Sequence, residues 1–188
     1  MSGDHEFSCR CGAFRARVAP GGPSGANRVI CYCESCQKFA RELGAEATLV
    51  EGGGSDIVQI SSARIDILDG SESLAALKLS EKGPVRWHTT CCNTPIGAAA
   101  GSARIPFIGL NNEVAKLPEA MTGPVTAQLY RRSATKRVPE VGQGQGMFAV
   151  ILGFARVMIP AMLRGDGARS PFYGPNRKPI VRVRRIEP

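Results

Sequence analysis

The segment Cys31-Tyr32-Cys33-Glu34-Ser35-Cys36 constrains this chain more than any other. Three thiols fall within six residues, spaced C-x-C-x-x-C. The C-x-x-C half folds as a knuckle with both sulfurs on one side of a turn. Residues i and i+2 of a strand share a face, so the C-x-C half adds a third sulfur from an incoming strand. Thiolates are soft ligands that suit zinc. Three protein ligands leave one position of a tetrahedral ion open, the pattern of a reactive site rather than a closed structural one. The competing reading is a redox or disulfide cluster, but an odd total of seven cysteines suits metal better than paired disulfides.

A second C-x-C occurs upstream, in Cys9-Arg10-Cys11-Gly12. Far downstream, the β-branched and aromatic run 85–90 leads directly into Cys91-Cys92-Asn93-Thr94-Pro95. A strand that delivers cysteines to a turn is how a β zinc site is completed, so Cys9 and Cys11 predict a second metal site closed from this region. Adjacent cysteines on a strand point to opposite sides, so both can bind one ion only across a bend. Cys92 is the better-placed ligand. Cys91 and His88 remain candidates for the last position, His88 because His88-Thr89-Thr90-Cys91 has ligand-like spacing. A packed or solvent-facing strand histidine is the plainer reading of His88.

With 22 glycines and 13 prolines the chain is rich in turns, which predicts a mainly β fold. Short β runs are expected at 13–18, 28–30, 47–50, 57–60, 64–68, 74–79, 85–90, 104–110 and 125–130. The stretch 20–25 is a loop by composition. One helix is expected at 37–43, with Phe39 and Leu43 on one face and Gly44 as its cap. It would place Cys36 in the first turn, where exposed amides favour a thiolate. Gly52-Gly53-Gly54 reads as a hairpin connection near a ligand mouth. No P-loop lysine or helix signal follows it.

The net charge of +8 is confined to the end of the chain: residues 128–188 carry +9 and the first 127 carry −1. That shift predicts a zinc-binding β domain at 5–135 and a basic C-terminal extension at 136–188. The extension holds an apolar helix at 147–163. Arg156 in its middle and Pro160 beyond it argue against a transmembrane span, which needs about 20 apolar residues. Gly153, Arg156, Pro160 and Arg164 would share one face of this kinked helix. The apolar side would dock on the domain or on a partner subunit, giving a candidate homodimer. Contact with a membrane surface is the lesser alternative. Residues 180–184 alternate like an edge strand. Phe172 and Tyr173 are the only aromatics among the tail's basic residues, which disfavours nucleic-acid binding. The start of the chain lacks the basic and apolar pattern of a secretory signal. Seven unpaired thiols then predict a reducing, cytoplasmic setting.

In order, Cys9-x-Cys11-Gly12-Ala13, Cys31-x-Cys33-x-x-Cys36-Gln37 and Cys92-Asn93-Thr94-Pro95 resemble the glutathione-dependent formaldehyde-activating enzyme family. Its superfamily also includes centromere protein V. The resemblance spans roughly residues 5 to 130. It implies a β-tent fold of stacked antiparallel sheets. It also implies a structural zinc held by the early C-x-C and a late C-x-x-C-Gly, and a reactive zinc held by Cys31, Cys33 and Cys36. The chain departs at the late motif: Thr89 stands at the first cysteine and Asn93 at the glycine, so either Cys91 or His88 completes the structural site or that site is incomplete. The extension also lies outside the usual domain.

Three functions follow as expectations. The first is a carbon–sulfur lyase, in which one or two zinc ions serve a thiol, glutathione by resemblance, that adds to a small aldehyde. Three thiolates on one zinc carry a net −1, which a cation such as Lys38 or Arg41 on the following helix would offset. The second is a non-catalytic zinc-stabilised module that binds through its basic third. The third is a thiol oxidoreductase using Cys33 and Cys36 without metal.

Overall fold

A computed structural model describes residues 3–21, 25–140 and 147–186. The loop expected at 20–25 and the extension expected from 136 onward fall partly outside these residues. The strands are β1 (His5–Ser8), β2 (Arg15–Val18), β3 (Asn27–Cys31), β4 (Ser55–Ser61), β5 (Ile65–Asp69) and β6 (Leu74–Lys78). They continue with β7 (Val85–Thr89), β8 (Pro95–Ala99), β9 (Phe107–Asn111), β10 (Val125–Leu129) and β11 (Val183–Arg185). The chain is mainly β, in two sheets. One has the order β1-β2-β5, the other β10-β3-β4-β9-β8-β7-β6-β11.

Alternation decides which face of each strand is covered. In β2, Ala16 and Val18 are fully buried while Arg15 is exposed. The small sheet lays Phe7, Phe14, Ala16 and Val18 against Val58, Ile60, Trp87, Ile108 and Leu110 of the large one. Phe172 joins this core from the C-terminal part, its ring centroid 5.0 Å from that of Trp87. Each such side chain contributes about 1.5–3 kcal/mol by leaving water.

The large sheet is mixed rather than antiparallel throughout. β10 runs parallel to β3, and β11 parallel to β6, at its two edges. Both edge strands arrive over long connections. The helices α2 (Asn112–Ala115) and α3 (Glu119–Thr122) precede β10, and a longer helix precedes β11. Long crossovers are what allow parallel pairing, where a tight hairpin cannot.

The opposite face of the large sheet carries helices. Arg86, Ala98, Gly109 and Gln59 are successive Cα partners across β7, β8, β9 and β4, so they share that face. Helix α1 (Glu34–Glu42) packs Phe39 there against Leu77, with Leu43 and Ala45 alongside. Helix α4 (Met147–Leu163) lies over β3, β4 and β10, with Val150 against Val29 and Ala127 and the Phe154 ring 5.3 Å from Phe107. Gly153 permits this approach, because a Cβ there would lie 2.6 Å from Asn27 Oδ1. The outer face of α4 presents Phe148, Ile151, Leu152, Ile159, Met162 and Leu163, each 50–84% exposed. No helix among the described residues is long and apolar enough to cross a membrane.

Three expected elements differ. Residues 47–50 hold a 3-10 turn at Glu46–Thr48, and Val50 forms only an isolated bridge to Gly54. The strand expected from 104 begins at Phe107. The run at Pro95, read as a turn, is strand β8: the proline takes the first strand position, where a missing N–H is tolerated.

Candidate metal centres

The hairpin from β1 to β2 turns at Cys9-Arg10-Cys11-Gly12. The Gly12 amide donates to Cys9 O at 2.9 Å, and Gly12 takes φ 79°, which costs a glycine nothing. The turn after β7 meets it. Thr89 N donates to Thr94 O at 3.0 Å and Thr94 N donates to Thr89 Oγ1 at 3.2 Å, closing a loop in which Asn93 adopts φ 53°. That loop supplies the bend that adjacent cysteines need, and it brings the Cys91 and Cys92 sulfurs to 3.8 Å. Arg10 ties the two turns together, its amide donating to Thr94 Oγ1 and its guanidinium to Cys92 O, each at 3.1 Å.

The result is a group of four, Cys9, Cys11, Cys91 and Cys92, with all sulfurs within 4.8 Å of one another. Cys9 is buried and its Sγ lies 3.5 Å from Cys11 and 3.7 Å from Cys91. Burial works against charge on Cys92. The hydroxyls of Thr94 and Thr89 and the Cys11 amide outweigh it and bring the pKa of Cys92 down to about 5. The Thr89 hydroxyl therefore supports Cys92 from outside the group. His88 stays outside the cluster. It is buried, its Nδ1 lies 3.3 Å from Thr89 O, and burial pulls its pKa down.

The second group is Cys31, Cys33 and Cys36, also within 4.8 Å of one another. Cys31 ends β3 opposite Ser55 of β4, Cys33 is the N-cap of α1, and Cys36 sits in that helix's first turn. Cys33 O accepts from the amides of Cys36 at 3.0 Å and Gln37 at 3.2 Å. The Gln37 side chain donates to the carbonyls of Tyr32 and Ser133, both at 2.8 Å, and so fixes the entry to the helix. The thiols of Cys31 and Cys36 hold Cys33 far below the usual thiol range, and the Arg86 charge acts in the same direction.

The cation at this group is Arg86, neither Lys38 nor Arg41. Its two Nη atoms lie 3.9 Å from Cys36 Sγ, and Nη2 donates to Ser35 Oγ at 2.6 Å. The guanidinium sits 5.1 Å over the Phe39 ring. Arg86 is 5% exposed and has no carboxylate partner among the described residues. The sequence signal for it is an arginine inside the otherwise apolar run Val85-Arg86-Trp87, on a strand buried at every position. Beside Cys36 and Arg86 lies a small cavity of 30 Å³, lined also by Phe39, Ser55, Gly109 and Asn111.

The donor sets fit zinc. Four thiolates about 2.3 Å from a tetrahedral ion have sulfur–sulfur edges of about 3.8 Å. Three of the six edges in the group of four, at 3.5, 3.7 and 3.8 Å, are close to that, whereas a disulfide would be about 2.05 Å. All seven cysteines are free. No further His, Cys, Asp or Glu among the described residues joins the group of three.

Fold and sites together define a mainly β protein with two cysteine clusters, each able to hold a metal ion. The chain belongs to the family of unknown function DUF6151, which matches residues 1–184 and thus includes the basic extension. Among solved structures, a Rhodobacter sphaeroides protein from a structural genomics programme is similar over 65% of this chain and 98% of its own, at 18% identity and a TM-score of 0.42. No curated protein matches.

Proposed function

We propose that this is a zinc protein with a closed four-cysteine structural centre and an open three-cysteine reactive centre, and that the latter joins or cleaves carbon–sulfur bonds between a glutathione-like thiol and a small aldehyde. The observation that carries the reading is the incomplete set Cys31, Cys33 and Cys36, backed by a buried guanidinium and bordering a cavity. Zinc, when bound, keeps a thiol ionised at neutral pH. The chain's own residues do the rest. Cys31, Cys33 and Cys36 would hold the ion. Arg86 offsets the negative charge of three thiolates. Phe39 covers the guanidinium. Ser55 and Asn111 bring a hydroxyl and an amide to the cavity wall, where a carbonyl oxygen gains negative charge. The thiol sulfur bonds to the carbonyl carbon, and the proton lost from the thiol ends on the carbonyl oxygen. A cavity of 30 Å³ admits about two water-sized groups, which suits a one-carbon aldehyde.

That small volume also favours the rival reading, a non-catalytic zinc module. Exchange of glutathione with formaldehyde, followed by proton NMR at equilibrium, separates the two. Saturable, protein-dependent acceleration that disappears in Cys33→Ser supports the enzyme; two bound zinc ions with no acceleration and no thiol exchange support the module. A homodimer through the outer face of α4 belongs to the same proposal. Its support is the exposed apolar row, which presents roughly 800 Å² at about 200 Å² per fully exposed large side chain, near the area one partner contributes to a standard interface.

A further inference from the structure

A second concave site lies at the other end of β4. Ser55 opens that strand as the partner of Cys31, and Ser61 closes it at the wall of a 490 Å³ cavity. Six steps of about 3.3 Å separate the two ends by about 20 Å. Three arginines from two parts of the chain line this cavity: Arg64 just after β4, and Arg156 and Arg164 in α4 and directly after it. Arg156, Pro160 and Arg164 recur at four-residue spacing, so one side of the helix delivers both arginines.

Arg64 is fixed in place. Its Nε and Nη2 donate to Ala19 O at 3.1 and 2.8 Å, and Nη1 donates to Gly25 O at 2.8 Å. Gly21 lies against the guanidinium face, where a Cβ would stand 2.5 Å from Arg64 Cζ. Burial pushes the pKa of Arg64 down. Tethering a loop accounts for Arg64 by itself. It does not account for two more guanidiniums facing the same space. Arg156 gives one N–H to Ala26 O at 3.3 Å, and Arg164 gives one to Asp166 Oδ2 at 3.1 Å. Asp166 is already shared with Arg169 and Ser61. Neither Arg64 nor Arg156 has an ion pair among the described residues.

We propose that this cavity binds a compact dianion, a phosphate monoester or a dicarboxylate, through the forks of Arg156 and Arg164, with the tethered Arg64 adding its charge at the wall. Arginine forks match such oxyanions in pairs of parallel hydrogen bonds. The volume falls in the range of small-molecule pockets, so a compact ligand suits it better than a polymer. The proposal is independent of how the cysteine centres are read.

Titration calorimetry with inorganic phosphate, glycerol phosphate and succinate, at low and physiological salt, tests it. Saturable one-to-one binding of at least one probe is expected, and which probe binds tells phosphate from carboxylate ligands. Arg156→Ala and Arg164→Ala alter exposed side chains and should leave zinc content and circular dichroism unchanged while weakening binding by about tenfold each. Arg156→Lys should recover part of the loss. No saturable heat with any probe, or affinity unchanged in both alanine variants, overturns the proposal.

Discussion

Replacing Arg86 with methionine tests whether the three-cysteine centre is an anion that needs a buried counter-charge. The guanidinium stands 3.9 Å from Cys36 Sγ. Unit charges at that distance attract by about 4 kcal/mol at an effective dielectric near 20. Part of that is cancelled by the cost of keeping a guanidinium out of water, which methionine does not bear. The net effect should fall in the range for residues that support metal ligands, a loss of about 10–100-fold in metal affinity, or roughly 1.4–2.8 kcal/mol. Methionine fills similar volume beside Phe39 and Leu77, so the fold should persist. Competition with a chromophoric chelator reads the two centres separately. Wild-type protein should yield two tightly held zinc ions. Arg86→Met should release one of them at lower chelator concentration and hold the other, bound by Cys9, Cys11, Cys91 and Cys92, as before. Arg86→Lys should fall between, since it keeps the charge but loses the fork and the Phe39 contact. A folded Arg86→Met protein with both ions held as tightly as in wild type would refute the reasoning.

The other predictions concern parts that can be perturbed separately. Cys33→Ser should lower zinc content from two ions to one with little change in Tm, whereas Cys91→Ser should lower both zinc content and Tm, as measured by plasma emission and calorimetry. The Asp166 carboxyl is held below the usual carboxylate range: burial opposes its charge, but the Ser61 hydroxyl and the Arg164 and Arg169 guanidiniums outweigh that. A depressed folded-state pKa stabilises above the unfolded value and is lost as pH falls through the folded one. Asp166→Asn should therefore cost about 1–3 kcal/mol in urea melts at neutral pH, and the difference should shrink once pH drops below about 4. Ile159→Glu with Leu163→Glu should convert a dimer to a monomer in light scattering without altering the monomer's circular dichroism; a wild-type monomer at high micromolar concentration would dispose of the α4 interface.

The parts of the fold legible in the sequence are those where one local rule acts. The alternation in Ala13 to Val18 places β2, and the C-x-x-C before Phe39 and Leu43 places α1, because period and cap suffice there. Residues 47–50 misled because β-branched and apolar content says nothing of pairing. Val50 has a partner only in Gly54, and the chain folds into a 3-10 turn instead. The strands β10 and β11 are legible as strands, the latter as an edge strand, but their parallel pairing with β3 and β6 is not, since pairing between distant segments leaves no local trace. The candidate ligands were legible as residue types, but the last one was not. Cys91 rather than His88 completes the group of four because Asn93 at φ 53° bends the chain after Thr89, a geometry that only the closed loop reveals. Strand propensity treats Arg86 as one more side chain, whereas its burial beside sulfur makes it a charge that must be matched.

The two cysteine groups differ in what a bound ion can do for the chain. A cross-link stabilises by the loop it closes in the unfolded state. Cys9 and Cys91 are 82 residues apart, and closing a loop of that length is worth about 4.5 kcal/mol by the chain-entropy estimate. Cys31 and Cys36 close six residues, which the same estimate sets at about 2 kcal/mol, and α1 already holds those residues through its own hydrogen bonds. The group of four also joins the small sheet's hairpin to the end of β7 in the large sheet, whereas the group of three joins β3 to the helix that directly follows it. Stapling therefore accounts for a bound ion at the first group far better than at the second. Burying a set of thiols with an arginine against it costs desolvation, which the Ser35 hydrogen bond and the Phe39 ring offset only in part. Incomplete coordination that does chemistry would account for such a set, which supports the reactive role proposed for Cys31, Cys33 and Cys36.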